Sequence, residues 1–333
     1  MLCLSGLKNT IQMSNKYNFN VVTSGLTAYV DETNTELLYQ LQMASELAPY
    51  SEVYPGIKGT ERLHFMTTTA TFQTDACSYN ASDSTTFTEK DLTVGKIAIM
   101  EDICPKLLQG FWAQQILAAG SRGEEAIPAD IARVWTEKKL NLVKKQINVA
   151  DWQGDTTGGG GANLNKYNGL IKEIFADGSV VDGNTSDAST ATSASNILAR
   201  MQEMYLAIPE DLRAGAPDGG GLVWFLPQAY LDFYVIALRT ANLFHYKGGE
   251  GEGINYYGTD IKLVPQVGLA SQNKMVITTV GNFAIGVDLE SDEDSFEIWY
   301  SKDDRVNHSL IAFKRGITDK FSDYLVKWGL GTS

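Results

Sequence analysis

Cysteine is scarce in this chain: Cys3, Cys77 and Cys104 are three of 333 residues, at irregular spacing. So few cannot form a disulfide framework, and the spacing matches no zinc ligand pattern. The expectation is free thiols in a protein made in a reducing cytosol, with a Cys77–Cys104 bridge as the alternative. Histidine is as sparse. His64, His245 and His308 are far apart, and none has a carboxylate or cysteine at metal-ligand spacing. Each is read as a solvated or strand-face histidine. Long apolar runs are missing too, none approaching the ~20 residues that a membrane-spanning helix needs. The opening stretch 1–8 is too short and too interrupted for a signal peptide. Met13 reads as a native beginning, and residues 1–12 as an upstream extension with little structure. Positive charge is in deficit: 27 Lys and Arg against 40 Asp and Glu leave a net charge of −13. General nucleic-acid binding needs clustered Lys and Arg, so that class is disfavoured.

Motifs that carry chemistry are also missing. There is no Gly-x-Ser-x-Gly elbow. Gly158 to Gly161 is not followed by Gly-Lys-Ser/Thr, which excludes a phosphate-binding P-loop. Gly249-Glu-Gly-Glu-Gly fails the dinucleotide fingerprint. The acidic run Asp288 to Asp294 lacks the calcium-loop pattern and reads as a charged turn. Trp224, Trp299 and Trp328 sit on strand-like stretches and read as core or interface. No catalytic set, metal or cofactor is expected, and the chain is not read as an enzyme.

What is present begins with one long helix, Ile127 to Asp155. Pro128 and Asp130 suit its first turn, and Gly154 ends its pattern. Ile131, Val134, Trp135, Leu142 and Val149 form one apolar row, and Leu140, Val143, Ile147 and Ala150 a second. Lys138, Lys139, Lys144 and Lys145 fill the wet side. Ahead of it, residues 13–57 start polar and extended. Leu37, Leu38, Leu41 and Leu47 then predict a short amphipathic helix from Asn34 to Ala48, stopped by Pro49. Residues 60–100 predict a long β-hairpin, rich in Thr and aromatics, turning at Ser78 to Ser84. Leu92 and Val94 share one parity and Ile97 and Ile99 the other, which puts a bulge or twist at Gly95. Two strands alone are marginal in water. The hairpin therefore rests on a neighbour, unless its strands are edge strands of the chain's own sheet.

A short apolar helix is predicted from Cys104 to Leu117. Beyond the long helix the texture alternates: a helix over Ala194–Ile208, a strand at Leu222–Leu226, a helix over Gln228–Phe244, and strands at Asp260–Val264 and Lys274–Val280. The C-terminal part is strand-rich, with Phe296–Tyr300, Val306–Phe313 and Asp323–Trp328 punctuated by Asp303-Asp-Arg and Lys314-Arg-Gly. This mixture is an α+β chain.

The order of elements (extended arm, short helix, long hairpin, spine-like helix, α/β subdomain, return to strands) resembles the major capsid protein of tailed bacteriophages, the Caudoviricetes, with the Hong Kong 97 fold. Tyr29-Val-Asp-Glu, Gly56-Ile-Lys-Gly, Leu92-Thr-Val, Ile127-Pro closing on Trp152-Gln-Gly-Asp, Asn168-Gly-Leu and Phe283-Ala-Ile-Gly-Val-Asp carry the resemblance, which spans nearly the whole chain from Met13. It implies an N-terminal extension and N-arm over 1–57, an extended hairpin or E-loop over 58–100, and the first part of a peripheral (P) domain with the spine helix over 101–159. An axial (A) domain then covers 160–280, and the C-terminal strands of the P domain cover 281–333.

The resemblance further implies a virion protein, assembled in the host cytoplasm as pentamers and hexamers of an icosahedral shell. The shell encloses double-stranded DNA without sequence-specific binding and without a membrane. Tyr29, Val30, Leu37 and Leu41 of the arm, and Phe65, Phe72, Phe87, Lys90 and Gly95 of the hairpin, are then expected at contacts between subunits. Ile131, Trp135, Leu142, Val149 and Trp152 mark the spine helix. A separate scaffolding protein, a portal and decoration proteins are the implied partners. Lys90 and Asn307 have the residue types of a cross-link found in some members, although no motif matches them. The alternatives are an encapsulin-type nanocompartment shell protein, and a soluble α/β enzyme or ligand-binding protein.

Overall fold

A computed structural model describes residues 45–74, 81–104, 129–157, 161, 163–186, 188–215, 221–241, 254–288 and 295–330, with the backbone alone at 129–134 and 295. In chain order the strands are β1 (Ser51–Tyr54), β2 (Thr60–Thr68), β3 (Thr85–Thr93), β4 (Gly95–Ile103), β5 (Val181–Asp182), β6 (Leu222–Leu226), β7 (Lys262–Pro265), β8 (Lys274–Thr279), β9 (Phe283–Val287), β10 (Ser295–Ser301), β11 (Val306–Asp319) and β12 (Val326–Gly329). The helices are α1 (Ala129–Gln153), α2 (Leu170–Ala176), α3 (Ile197–Leu206), α4 (Glu210–Ala214) and α5 (Gln228–Thr240).

Helix α1 runs 25 residues without Gly or Pro, about 37 Å at 1.5 Å per residue. Gly154 stops it where no side chain fits: a Cβ there would lie 2.4 Å from the Tyr167 carbonyl oxygen. Leu140, Val143 and Ile147 are buried against Phe296 and Ile298 of β10 and Ile311 and Phe313 of β11, with Trp135 packed at the edge. The other expected row departs from the core. Leu142 is 63% exposed, and Val149 is half-buried. Trp135, Leu142 and Val149 are seven residues apart, and a seven-residue spacing drifts about 20° per heptad around a straight helix. Leu142 thus faces away from the sheet, while Trp135 and Val149 lie at the edge of the buried face. Ile131 falls where only the backbone is described.

Two five-stranded sheets form the body. The first has the order β1-β9-β11-β10, with β4 on β11 as well. Strand β11 is its axis. Along one edge it takes β4, from Asn307↔Ile103 to Arg315↔Gly95. Along the other it takes β10 over 306–312 and then β9 over 315–319. Strand β1, expected in the arm, pairs parallel with β9. The second sheet has the order β5-β12-β8-β6-β7. One of its faces carries Trp224, Leu226, Met275, Ile277 and Trp328 against α3 and α5. The other carries Val223, Phe225 and Val276 into a core shared with Trp152, α2 and the β9–β11 end of the first sheet.

Three boundaries differ from the sequence reading. The C-terminal strand β12, expected with the P-domain strands, pairs with β8 and β5 and so closes the second sheet. Strand β11 does not stop at Phe313. Lys314 and Arg315, read as punctuation, lie inside it and are buried. The hairpin's second strand is split: β3 pairs with β2, β4 pairs with β11, and the change of partner falls at Val94. That break explains the parity change noted between Val94 and Ile97.

Candidate functional site

Among the described residues the β2–β3 hairpin is mostly exposed, with one buried side chain on each strand. Its register, from Thr60↔Thr93 to Thr68↔Thr85, sorts the side chains onto two faces. The inner face holds Leu63, Phe65, Lys90 and Leu92. Leu63 and Leu92 are buried with Ile57, Val94 and Ala284. The Phe65 ring lies 4.9 Å from that of Phe321. The Lys90 ammonium donates to Asp319 Oδ2 at 3.0 Å and to the Ser322 hydroxyl at 3.4 Å. Asp177, 3.8 Å from the same ammonium, is held at a pKa of about 2 by hydrogen bonds from Ser179, against the effect of burial, with Ser322 and Lys90 adding to the fall.

The outer face pairs Met66 directly with Phe87, and these are 62% and 72% exposed. Phe72, beyond the strands, is fully exposed. Below the apolar pair lies a charged ladder. Arg62 donates to Asp91 Oδ1 at 3.0 Å and to Glu89 Oε2 at 2.9 Å, and His64 lies 3.4 Å from Glu89. Those two carboxylates raise the Arg62 pKa, Asp91 foremost. Thr60–Thr93 and Thr68–Thr85 hydroxyl pairs close the two ends of the face. Cross-strand pairs of this kind stiffen the hairpin without burying it.

The expected contact residues therefore divide. Phe72 and Phe87 stand open to solvent, and Met66, which the sequence reading passed over, joins them through its cross-strand register. Phe65 and Lys90 have partners inside their own chain and anchor the root of the hairpin. Gly95 is also internal: a Cβ there would fall 2.0 Å from the Lys166 carbonyl oxygen. Asn307 is buried in β11, opposite Ile103 and Tyr300, so neither it nor Lys90 is presented to a neighbour as a cross-link requires. Tyr29, Val30, Leu37 and Leu41, the short helices expected at 34–48 and 104–117 except for their ends, and most of the acidic run 288–294 lie outside the described residues. Cys104 is a free thiol, and Cys3 and Cys77 also lie outside.

Where the arm enters the body, one buried carboxylate gathers four elements. Asp151, near the end of α1, accepts from Arg315 Nε at 2.8 Å and Nη2 at 2.7 Å, from the Tyr167 hydroxyl at 2.7 Å and from Ser45 Oγ at 2.8 Å. Both charged side chains are fully buried. Burial alone would lower the Arg315 pKa, but the Asp151 carboxylate outweighs it and the net direction is upward. The Tyr167 phenol is pushed well up, by burial first and then by the Asp151 charge. Beside this centre Glu46 accepts from the Val267 amide at 3.0 Å, and the Glu46 amide donates to Asn148 Oδ1 at 3.1 Å. Nothing in the sequence singled out Asp151 or Arg315, which are 164 positions apart.

His308, on the solvent side of β11, bridges Asp102 of β4 at 2.6 Å and Asp304 of the β10–β11 turn at 3.5 Å, with Trp299 alongside. The hydrogen bond with Asp102 raises its pKa above 6.5 despite an opposing desolvation, and Asp304 adds to the rise. Among the described residues no group of three His, Cys, Asp or Glu side chains could hold a metal ion, and no helix is long and apolar enough to cross a membrane. Among the described residues the distinctive surface is the outer face of the hairpin.

No family model matches the sequence, and no curated protein matches it. Solved structures do match. The chain is similar to one from the satellite phage P4 procapsid that includes the size determination (Sid) protein, at 11% identity over 89% of this chain and 99% of that one, TM-score 0.55. It is similar to one from the capsid of Myoviridae phage XM1, at 10% identity over 85% and 91%, TM-score 0.53. It is also similar to one from Gordonia phage Cozz, at 10% identity over 87% of each, TM-score 0.51. Identities this low carry the fold and no activity. The fold is the α+β Hong Kong 97 type of phage capsid chains, as the order of elements implied.

Proposed function

We propose that the chain is the major capsid protein of a tailed bacteriophage, self-assembling as pentamers and hexamers into an icosahedral shell around double-stranded DNA. The observation that carries this reading is the hairpin: its root is fixed to the body, while Met66 and Phe87 on its outer face and Phe72 beyond the strands are exposed, with nothing among the described residues to cover them. Exposed apolar side chains gathered on a rigid protrusion mark an interaction surface. On a fold of phage-capsid type the natural partner is another copy. Many modest contacts of that kind, repeated under closed symmetry, give a stable assembly.

In this reading residues 1–57 are the extension and arm, except that β1 belongs to the body, and the β2–β3 hairpin is the E-loop. The first sheet with α1 is the P domain. The second sheet with α2, α3 and α5 is the A domain, and it includes the last strand. Tyr29, Val30, Leu37 and Leu41 would add arm contacts to those of the hairpin. The role is structural, the location is the virion after assembly in the host cytoplasm, and the DNA is enclosed without sequence readout. A net charge of −13 suits that last point, because a shell wall of that sign does not cling to packed phosphate. A scaffolding protein, a portal and decoration proteins would complete the particle.

The test is negative-stain microscopy of the purified protein, produced alone and with a scaffolding protein, with analysis of what the particles contain. Closed icosahedral shells are expected. A monodisperse monomer under both conditions would refute the proposal. Small shells loaded with a protein cargo would replace it with the nanocompartment reading.

A further inference from the structure

Lys274 opens β8 at the wall of a cavity of about 450 Å³, where the end of α1, helix α2 and the turn before β8 meet. Gln153, Asp155, Ile171, Lys172, Phe175 and Gln272 form most of the remaining wall. The Lys274 ammonium lies 4.5 Å from the centroid of the Phe175 ring. It makes no hydrogen bond and no ion pair among the described residues. Other buried or half-buried lysines are answered by carboxylates: Lys90 by Asp319, Lys139 by Glu101, Lys172 by Asp155 and Lys314 by Asp288. Lys327, 6.0 Å from the same ring, donates to the Ile174 and Asp177 carbonyls. Lys274 is thus a cation taken partly out of water with only an aromatic face to receive it. Burial is what lowers its pKa. The ring quadrupole offsets part of that desolvation, and an anion offsets more.

The lining selects the kind of anion. Asp155 is neutralised by Lys172, which also donates to Thr157 and Asn168. That leaves one positive charge, which matches a single carboxylate better than a doubly charged phosphate. The Gln272 side-chain amide has no partner among the described residues and is a second donor. Phe175 and Ile171 suit the apolar stem of an acidic side chain. Ser271 and Asn273, on either side of Gln272, have φ of 62° and 50°. Residues with a side chain hold that left-handed conformation only where their surroundings fix it, and the Tyr230 hydroxyl donates to Asn273 Oδ1 at 3.1 Å.

We infer that this cavity seats an Asp or Glu side chain from a second copy of this chain, with the Lys274 ammonium and the Gln272 amide as donors. The inference rests on the reading of the chain as a shell subunit, and adds to it a charged contact between subunits. Each copy carries 40 Asp and Glu against 27 Lys and Arg, so a packed neighbour presents carboxylates in excess. A cation left unanswered within one copy is where two acidic copies meet without repulsion.

The experiment compares dissociated subunits with shells assembled from an equal mixture of ordinary and nitrogen-15-labelled chains. A carbodiimide joins a lysine amine to a carboxylate it touches as an amide, and itself takes up the water released. Shells are expected to give Lys274 linked to an Asp or Glu peptide of the other label, and subunits to give no such link. Shells without a Lys274 link, or with links confined to chains of one label, overturn the inference. Lys274→Met supplies a second readout. Removing a charge that has no partner in the lone subunit should leave its urea midpoint unchanged or raised. The subunit concentration at which shells form should rise at least about tenfold. A lowered subunit midpoint with unchanged assembly makes Lys274 a structural residue of the lone chain and overturns the inference. Acetate probes the other source of a carboxylate. If it slows amine labelling of Lys274 in the subunit while shells give no link, the site takes a free anion and the inference falls. A wild-type chain that forms no shells defeats the parent reading instead, and shows it before any link is sought.

Discussion

Replacing Asp151 by Ala removes the carboxylate to which the fully buried Arg315 guanidinium donates through both Nε and Nη2. Breaking a buried ion pair from one side costs about 3–5 kcal/mol, because the remaining charge keeps its desolvation penalty. The Tyr167 and Ser45 hydroxyls lose their acceptor at the same time, each worth about 1–3 kcal/mol when the stranded group stays dry. These terms belong to one network and do not add. A total loss of about 4–6 kcal/mol is expected, against a whole-protein stability of only about 5–15 kcal/mol. Urea unfolding of the dissociated subunit reads this as a drop in midpoint at unchanged slope. Two further variants separate charge from packing. Asp151→Asn keeps an acceptor but not the charge, and should fall between wild type and Asp151→Ala. The double change Asp151→Leu with Arg315→Met removes both charges and should recover most of the loss. A midpoint for Asp151→Ala within about 1 kcal/mol of wild type, or a double variant no better than the single one, would refute the reasoning.

Three other outcomes follow from the same geometry. Gly95→Val should abolish folding and assembly together, since its side chain would collide with the Lys166 carbonyl 2.0 Å from the Cβ position; a soluble, native-like subunit by circular dichroism that merely fails to assemble would contradict this. Asp177, held at about 2 against an ordinary 3.8, contributes stability that is present above about pH 4 and lost as pH falls toward 2, on the order of 1 kcal/mol after solvent screening; Asp177→Asn should flatten that part of the urea midpoint against pH. His308 has its pKa raised above 6.5, so its contribution is complete below pH 6.5 and lost as pH rises through the raised value; NMR titration should find it above 6.5 in the wild type and nearer 6.5 in Asp102→Asn, and an ordinary value in the wild type would remove the role given to Asp102.

The parts of this fold that were legible in the sequence are those decided locally. Helix α1 announces itself by apolar spacing and an uninterrupted run of helix formers, and Gly154 marks its end to within a residue. The strand at Leu222–Leu226 and the helix after Pro227 are equally plain. The hairpin could be read from its Thr and aromatic content, and the parity change near Gly95 hinted at a break. What could not be read is pairing across long separations. Lys314-Arg-Gly looks like a turn because charged residues seldom sit mid-strand, and the Asp151 carboxylate that receives Arg315 is 164 positions away. The last strand looks like its sequence neighbours, yet its partners are β8 and β5. Within the hairpin, inward and outward residues alternate with the pleat. Phe65 and Phe87 are thus alike in sequence, but register puts one on Phe321 and the other in solvent.

The centre at Asp151 joins these observations. Ser45 brings the end of the arm to it, and Tyr167 brings the loop that leads into α2 and the second sheet. Arg315 brings the β11 residue at which β4 and β9 meet, paired with Gly95 of β4 on one side and Val287 of β9 on the other. Gly95 opens the strand that continues directly from the hairpin. One carboxylate therefore ties together Ser45, the strand that continues from the hairpin and the junction between the two sheets. An apolar cluster of the same volume would be at least as stabilising, so stability is not the reason for an ion pair here. The two-pronged Arg315–Asp151 contact fixes direction as well as distance, whereas an apolar contact tolerates rotation. On the proposed reading, in which the arm and the hairpin each meet another copy, their two roots need to be held in one orientation.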